Sequence, residues 1–447
     1  MTATAPEITA PSPFEQGQLQ EAKGLFQTGR LADAETVLRD LLRRNSGLLE
    51  GQALLGTLLF QRARFDEAAA VYAVCMTLNP SISAFPFNLG TALEKLDDKK
   101  GAVEAYLEAW RLDPRNAHVA LFAGAALDAA GRHEDAAAMF ALGDDHAPFV
   151  RRGKDDPSLP AEMRNRSRIA DRVMREHFTR LHAASVDESA RVIEAETGAK
   201  PDLDRVRVAM WTQTHDGPVS FRTPMQEPSV FYMPDLKAQT LTPAARLAWA
   251  TAVEAATTEI RDEFLAAVKN GVAFSPYVHG AINAEEWKKL SGNLDWSSLH
   301  LYREGRKTPI AQHFPKTLQA LEAADIPRVD DGNAIEMFFS RLKPGAHIPP
   351  HFGCANNRIT VHLPLIVPGD CAIRVGNDMH HWREGELFAF DDSFEHEAWN
   401  RSDQDRVVLI FESHHPDLTK DERFAVERAY ADRGGWVERR AARFAKG

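Results

Sequence analysis

The 447-residue sequence predicts two architectures in one chain: an all-α repeat superhelix over the first third, and a β-rich barrel or jelly roll with bracing helices in the second half. Three observations carry this expectation. A 34-residue period runs through residues 13–148, and after Pro201 the pattern changes to short β-rich runs broken by turn residues. Eight of the seventeen histidines then crowd between His347 and His415. The length alone exceeds what one ordinary core supports, so several folded units are expected.

The period is legible in four columns. Gly56, Gly90 and Gly124 are spaced 34 apart, as are Ala34, Ala68, Ala102 and Ala136; Leu38, Tyr72, Tyr106 and Phe140; and Pro80, Pro114 and Pro148. Each unit reads as two helices, for example 81–96 and then 99–112, joined by a short polar turn. Small Gly and Ala positions let paired helices approach closely, the aromatic fills the space beside them, and the proline ends the second helix. In Leu55-Gly56, Leu89-Gly90, the Ala column and the terminal Pro, this segment resembles the tetratricopeptide repeat (TPR). Four repeats over 13–148 are expected, with the columns serving as core packing. Any function of this part belongs to the concave face of the superhelix, where such repeats hold a peptide or a partner helix.

From Val150 to about Lys200 the chain becomes highly charged. Pro157 and Pro160 precede an amphipathic stretch over 160–184 and another over 187–196, so 149–200 reads as a helical connector that caps the last repeat. A third domain is expected over 201–430. Its predicted strands are 335–342, 358–367, 372–375, 386–390 and 406–413, with a helix over 243–268 bracing the sheet from outside.

Composition narrows the function classes. A formal charge of −11 and a pI near 5.9 argue against nucleic acid held on a general basic surface. Cys75, Cys354 and Cys371 are odd in number and lack C-x-x-C spacing, which disfavours a disulfide framework and a thiolate zinc site. The N-terminus has neither a basic start nor an apolar core, and no stretch is apolar enough to span a bilayer, so a cytoplasmic protein without a membrane partner is expected.

A metal needs imidazoles converging from separate strands, so the adjacent pairs His380-His381 and His414-His415, whose members face opposite ways on a strand, are poor candidates. His351, after Lys343-Pro344-Gly345-Ala346-His347-Ile348-Pro349-Pro350, and His396, ending Phe390-Asp391-Asp392-Ser393-Phe394-Glu395, remain. If 401–405 turns a hairpin, His396 and Arg406 oppose each other directly, a metal ligand beside an anion anchor. Taken alone, either histidine is more often structural, and Arg406 is a surface strand residue. Asp391 and Asp392 read as turn-shaping residues through side-chain to backbone hydrogen bonds. Cys354 lacks a legible base and acid around it for a nucleophile's role.

Several blocks together resemble the aspartyl/asparaginyl β-hydroxylases: Asp295-Trp296-Ser297, Ser340 through Pro349-Pro350-His351-x-Gly353, His362-Leu363, Phe390-Asp391-Asp392-Ser393-Phe394-Glu395-His396, Arg406, and His415-Pro416-x-Leu418-Thr419. The resemblance spans roughly 296–419. It implies a double-stranded β-helix (jelly-roll or cupin-like) oxygenase domain with Fe(II) held by His351 and His396, and with O2 and 2-oxoglutarate as cosubstrates. Gly353 stands where most relatives of that fold carry the carboxylate ligand, and in this family a glycine there is expected. Arg406 and Ser340 would hold the far carboxylate of 2-oxoglutarate, with His362 and Trp296 completing its pocket.

Family members carry Arg where this chain has Thr360, which shares a strand face with Arg358 and His362; Arg358 is the candidate to take over substrate binding. The resemblance implies hydroxylation of an Asp- or Asn-type side chain of a protein or peptide, engaged by the TPR concave face. Alternatives are the same chemistry on a free amino acid, a natural-product peptide or a lipid head group, or a TPR scaffold with a non-catalytic barrel.

Overall fold

A computed structural model describes residues 7–279, 284–329 and 332–444. It divides into two compact units, Met1–His177 with Trp436–Gly447, and Phe178–Gly435.

The first unit contains the repeat as four antiparallel helix pairs: α1 (Pro13–Gln27) with α2 (Leu31–Arg44), α3 (Leu49–Gln61) with α4 (Phe65–Leu78), α5 (Ala84–Lys95) with α6 (Lys99–Leu112), and α7 (Ala117–Ala129) with α8 (His133–His146). The sequence columns are the contacts. Ala34, Ala68, Ala102 and Ala136 are all fully buried, and a side chain at Gly56, Gly90 or Gly124 would strike the ring of Tyr72, Tyr106 or Phe140 on the next helix. For Gly90 the added carbon would stand 2.8 Å from two Tyr106 ring atoms. Only glycine lets the two helices lie that close. Together the four pairs form the TPR superhelix.

Where two amphipathic stretches are predicted over 160–196, one continuous 37-residue helix, α9 (Ala161–Thr197), runs through. The serines at the expected break do not compete with it. Ser185 Oγ donates to the Leu181 carbonyl at 3.0 Å and Ser189 Oγ to the Ser185 carbonyl at 2.8 Å, bonds that a helix accommodates. The N-terminal part of α9 closes the last repeat: Ser167 Oγ donates to the Phe149 carbonyl at 3.0 Å, and Arg166 lies 3.9 Å from the Phe122 ring centroid while pairing with Glu94. The chain's last helix, Lys420–Arg439, runs past residue 430. From Trp436 on, its residues belong to the first unit, where Phe444 packs on Trp110 at 5.5 Å. Among the described residues no helix is long and apolar enough to cross a membrane.

The second unit is a double-stranded β-helix. Its main strands are β1 (Trp296–Arg303), β2 (Met337–Leu342), β3 (His347–His351), β4 (Arg358–Ile366), β5 (Cys371–Val375), β6 (Asp378–His381), β7 (Phe388–Phe390), β8 (His396–Asn400) and β9 (Arg406–His414). The larger, antiparallel sheet runs β7-β4-β9-β2-β1, extended at its ends by the short strands Leu241–Thr242 and Ser275–Pro276; the smaller runs β6-β5-β8-β3. The expected bracing helix over 243–268 is interrupted, with a 3-10 turn at Ala244–Arg246 and helices at Ala250–Ala255 and Thr257–Lys269. At the break the Thr257 hydroxyl takes the Glu254 carbonyl at 2.6 Å. These helices still cover the large sheet, as Val253, Ile260 and Phe264 pack on Phe339, Val361, Leu363, Leu409 and Phe411.

Gly90→Val drives a methyl-bearing carbon into the Tyr106 ring, and such overpacking costs roughly 1–3 kcal/mol. The expected outcome is a lower thermal unfolding midpoint of the full chain, partly recovered when Tyr106→Leu is added. An unchanged midpoint in Gly90→Val would show that the helix pair is not in close contact there.

Candidate active site

Alternation along two neighbouring strands of the large sheet builds one wall of the site. On β4, Ile359, Val361, Leu363 and Leu365 point to the bracing helices, so Arg358, Thr360 and His362 point inward; on β9, Val407 and Leu409 point out while Arg406, Ile410 and Glu412 line the cavity. The cavity has a volume of about 560 Å3 and is also lined by Trp296, Ser340, His351 and His396. All seven residues singled out from the sequence therefore face one space.

The hairpin expected to oppose His396 and Arg406 does not form. The small sheet pairs β8 with β3 and β5, and the large sheet pairs β9 with β2 and β4, so the two residues belong to different sheets and approach the cavity from opposite walls. Asn400 is the reason. Fully buried at the end of β8, it donates Nδ2 to the Leu342 carbonyl at 2.8 Å and to the Gln404 carbonyl at 2.7 Å, and accepts from Ser402 Oγ at 2.6 Å. Its side chain takes the place of a hairpin ladder and turns the chain from one sheet to the other.

His396 is instead the direct cross-strand partner of His351, with ring centroids 4.0 Å apart. Each ring is oriented the same way: Nδ1 of His351 lies 2.8 Å from the Pro349 carbonyl, and Nδ1 of His396 lies 2.9 Å from the Phe394 carbonyl. A carbonyl only accepts, so Nδ1 carries the proton and the Nε2 lone pair of each ring is left for another partner. Burial, with the His396 ring next in effect, pushes His351 down to about 3, and burial pushes His396 down to about 4. Both rings are neutral at physiological pH, the form that ligates a metal.

On the other wall Arg406 is the largest fully buried side chain, 1% exposed, and its Nε and Nη1 have no hydrogen-bond partner. Burial pushes it down to about 10, so it stays charged. Beneath it lies the Trp382 ring, 4.5 Å from the guanidinium carbon. Trp296 Nε1 donates to Ser340 Oγ at 3.1 Å, and His362, buried with an unpartnered Nδ1, is held well below its usual range by burial and by Arg406.

Arg358 donates Nη1 to Glu412 Oε2 at 2.7 Å, while its buried Nε has no hydrogen-bond partner. Thr360 donates to Asp392 Oδ2 at 3.0 Å, and Asp392 is pushed up to about 6 by burial. Its carboxyl group fills the space over Gly353: a side-chain carbon there would lie 2.2 Å from the Asp392 Cγ. The turn-shaping role expected of Asp391 is present, its Oδ1 accepting from the Ser393 amide at 3.0 Å, whereas Asp392 faces the cavity. Trp382, Glu412 and the aromatic residues Tyr277, Trp287 and Phe338 were not singled out from the sequence. Glu412 was accessible to such reasoning, since it shares the face of Arg406 by period 2; the position of Trp382, on a loop, carries no periodic signal.

Residues 254–416 match the family model Aspartyl/Asparaginyl beta-hydroxylase. This part of the chain is similar to that family. The domain is 35% identical over 166 residues to human aspartyl/asparaginyl beta-hydroxylase, a match covering 37% of this chain and 21% of that protein. It is 48% identical over 127 residues to the ornithine lipid ester-linked acyl 2-hydroxylase of Rhizobium tropici, covering 28% of this chain and 43% of that one. The chain thus spans less than half the length of either relative. Among solved structures, the TPR protein YrrB aligns at 18% identity and a TM-score of 0.29, over 34% of this chain and 84% of its own.

Removing the Asn400 side chain leaves the Leu342 and Gln404 carbonyls without their donor, and each unsatisfied buried group costs about 1–3 kcal/mol. Asn400→Ala is expected to lower the unfolding midpoint by several degrees and to shift Arg406 relative to the histidine pair. Wild-type stability in that variant would show that the corner is held by other contacts.

Proposed function

We propose that the second unit is an iron(II)- and 2-oxoglutarate-dependent oxygenase that hydroxylates an unactivated C–H bond. The observation that carries this reading is Arg406. A fully buried guanidinium with unpartnered N–H groups is costly in an empty cavity and becomes favourable once a carboxylate receives them as a charge-assisted pair. Two neutral imidazoles paired across strands on the facing wall fit a metal, and the pairing of an anion anchor with a two-histidine site fits a metal-chelating oxoacid.

His351 and His396 would hold iron(II), which with O2 and 2-oxoglutarate would supply the oxidising chemistry, one oxygen atom going to the C–H bond and the other to succinate with loss of CO2. The chain's own residues hold and orient. Arg406 and Ser340 receive the far carboxylate, Trp296 fixes Ser340 through its indole N–H, and neutral His362 borders the oxoacid without adding a second cation beside Arg406. Burial of this end by Trp382, Phe388 and Phe390 excludes water.

The relatives' names support hydroxylation of an Asp- or Asn-type side chain of a protein or peptide, with the TPR concave face engaging the polypeptide. A lipid substrate is the second reading, favoured by the 48% identity to a lipid hydroxylase.

His396→Ala is expected to abolish stoichiometric Fe(II) binding with the fold retained by circular dichroism; full occupancy would refute the metal assignment. Arg406→Lys keeps the charge and loses the planar fork, so the 2-oxoglutarate KM should rise roughly tenfold to a hundredfold with iron affinity unchanged. Arg406→Met removes an uncompensated buried charge. Without ligand it should be at least as heat-stable as the wild type, and it should lose the rise in unfolding midpoint that 2-oxoglutarate gives the iron-loaded wild type. An equal rise in both proteins would place the oxoacid elsewhere.

A further inference from the structure

A short segment upstream of the matched residues 254–416, in the same unit, reaches the loops next to both histidines: Met225-Gln226-Glu227-Pro228-Ser229-Val230-Phe231. Its first half follows the turn that leads into His396. The Glu227 amide donates to the Ser393 carbonyl at 2.8 Å, and the Met225 carbonyl accepts from the Glu395 amide at 2.8 Å. Its second half follows the loop that leaves His351. There the Ser229 amide donates to the Gly353 carbonyl at 3.1 Å, and the Val230 and Phe231 amides donate to the Cys354 carbonyl at 2.9 and 3.0 Å. One strap is thus bonded to both loops, within three residues of each histidine.

Two of its contacts bear on the His396 ring itself. The Glu395 N–H and the Phe394 C=O belong to one planar peptide unit and point in opposite directions. Held at its N–H by Met225, that unit turns its carbonyl toward His396 Nδ1, 2.9 Å away, the bond that sets the ring's orientation and tautomer. Gln226, buried at 2% exposure, adds a side-chain tie: its Nε2 donates to Asp391 Oδ2 at 2.9 Å, while Asp391 Oδ1 accepts from the Ser393 amide at 3.0 Å. The two oxygens of that carboxyl group therefore join the strap to the turn. Met225 has a φ of 63°, a left-handed conformation that side chains rarely adopt and that persists where the surroundings impose it. The bonds of the Met225 carbonyl and the Gln226 side chain supply that constraint.

We propose that residues 225–231 are a positioning strap of the metal site, which sets the separation of His351 and His396 and, through the 394–395 peptide, the orientation of the His396 ring, with Gln226 as its side-chain anchor. The inference rests on the two-histidine metal reading above and adds residues to it. None of the seven lines the cavity, so they act through the loops and not on the ion or the substrate. Outer contacts of this kind hold ligand geometry, and losing one typically costs roughly tenfold to a hundredfold in metal affinity.

The test uses the full-length protein with cobalt(II) in the presence of 2-oxoglutarate as the probe, and the visible absorption of the bound ion as a reading of its ligand geometry. The signal absent from His396→Ala belongs to the site. Gln226→Met keeps the size of the side chain and loses the donor, so the cobalt(II) Kd should rise about tenfold or more, with an altered spectrum. In the wild type, the ion should slow hydrogen exchange of the Glu227, Ser229, Val230, Phe231 and Glu395 amides by a similar factor, because strap and ion each favour the state the other needs. A lower unfolding midpoint in Gln226→Met with wild-type Kd and spectrum makes the bond merely structural and overturns the inference. Exchange of the strap amides that is indifferent to the ion overturns it as well, and decides the question if the variant does not fold. Failure of the wild type to bind cobalt(II) at this site removes the two-histidine metal reading, and the strap's role falls with it.

Discussion

The guanidinium of Arg406 is the constraint around which the second unit is arranged. A permanent charge with 1% exposure has lost its water, and burial pushes the group down to about 10. What compensates it in part is the face of Trp382 below. The same charge explains why His362, beside it and equally enclosed, is held neutral: a second cation there would add repulsion to the cost of burial. Such an arrangement is poor as packing, since a buried charge with unpartnered N–H groups is costly. The two sheets divide these groups, the large one carrying Arg406 and the small one the paired rings of His351 and His396.

That division depends on one corner. With β8 paired to β3 and β9 paired to β2, the five residues between Asn400 and Arg406 must carry the chain across the jelly roll, and no ladder bond stabilises the crossing. Asn400 replaces it with side-chain bonds to Leu342, Gln404 and Ser402. Because Leu342 is also the cross-strand neighbour of both Arg406 and Trp296, the corner and Arg406 are fixed to the same residue.

Much of this was legible in the sequence, and for identifiable reasons. The glycine and aromatic columns repeat because each Gly faces the ring one helix later, a contact made anew in every repeat, so periodicity reports it directly. The inward faces of β4 and β9 follow from period-2 alternation, which placed Arg358, Thr360 and His362 together. The pairing of strands was not legible. A five-residue connection between two β runs is as compatible with a hairpin as with a crossover, and the choice was made by the buried amide of Asn400, whose partners Leu342 and Gln404 lie on opposite sides of it in the chain. The partnership of Arg358 with Glu412, 54 residues apart, was hidden for the same reason: it exists only once β4 and β9 are in register.

Gly353 joins these threads. Its amide donates to the Asp392 carbonyl at 2.6 Å, and the Asp392 carboxyl group occupies the volume that any side chain at 353 would need. A carboxylate ligand two residues after His351 and an aspartate four residues before His396 are therefore mutually exclusive in this framework. Aspartate at 353 would have to displace Asp392, break its bond from Thr360, and set two acidic groups against each other. The glycine is thus not simply a missing ligand. It is the steric counterpart of Asp392, whose bond to Thr360 depends in turn on the absence of a larger, charged side chain at 360. Gly353, Thr360 and Asp392 therefore form one set.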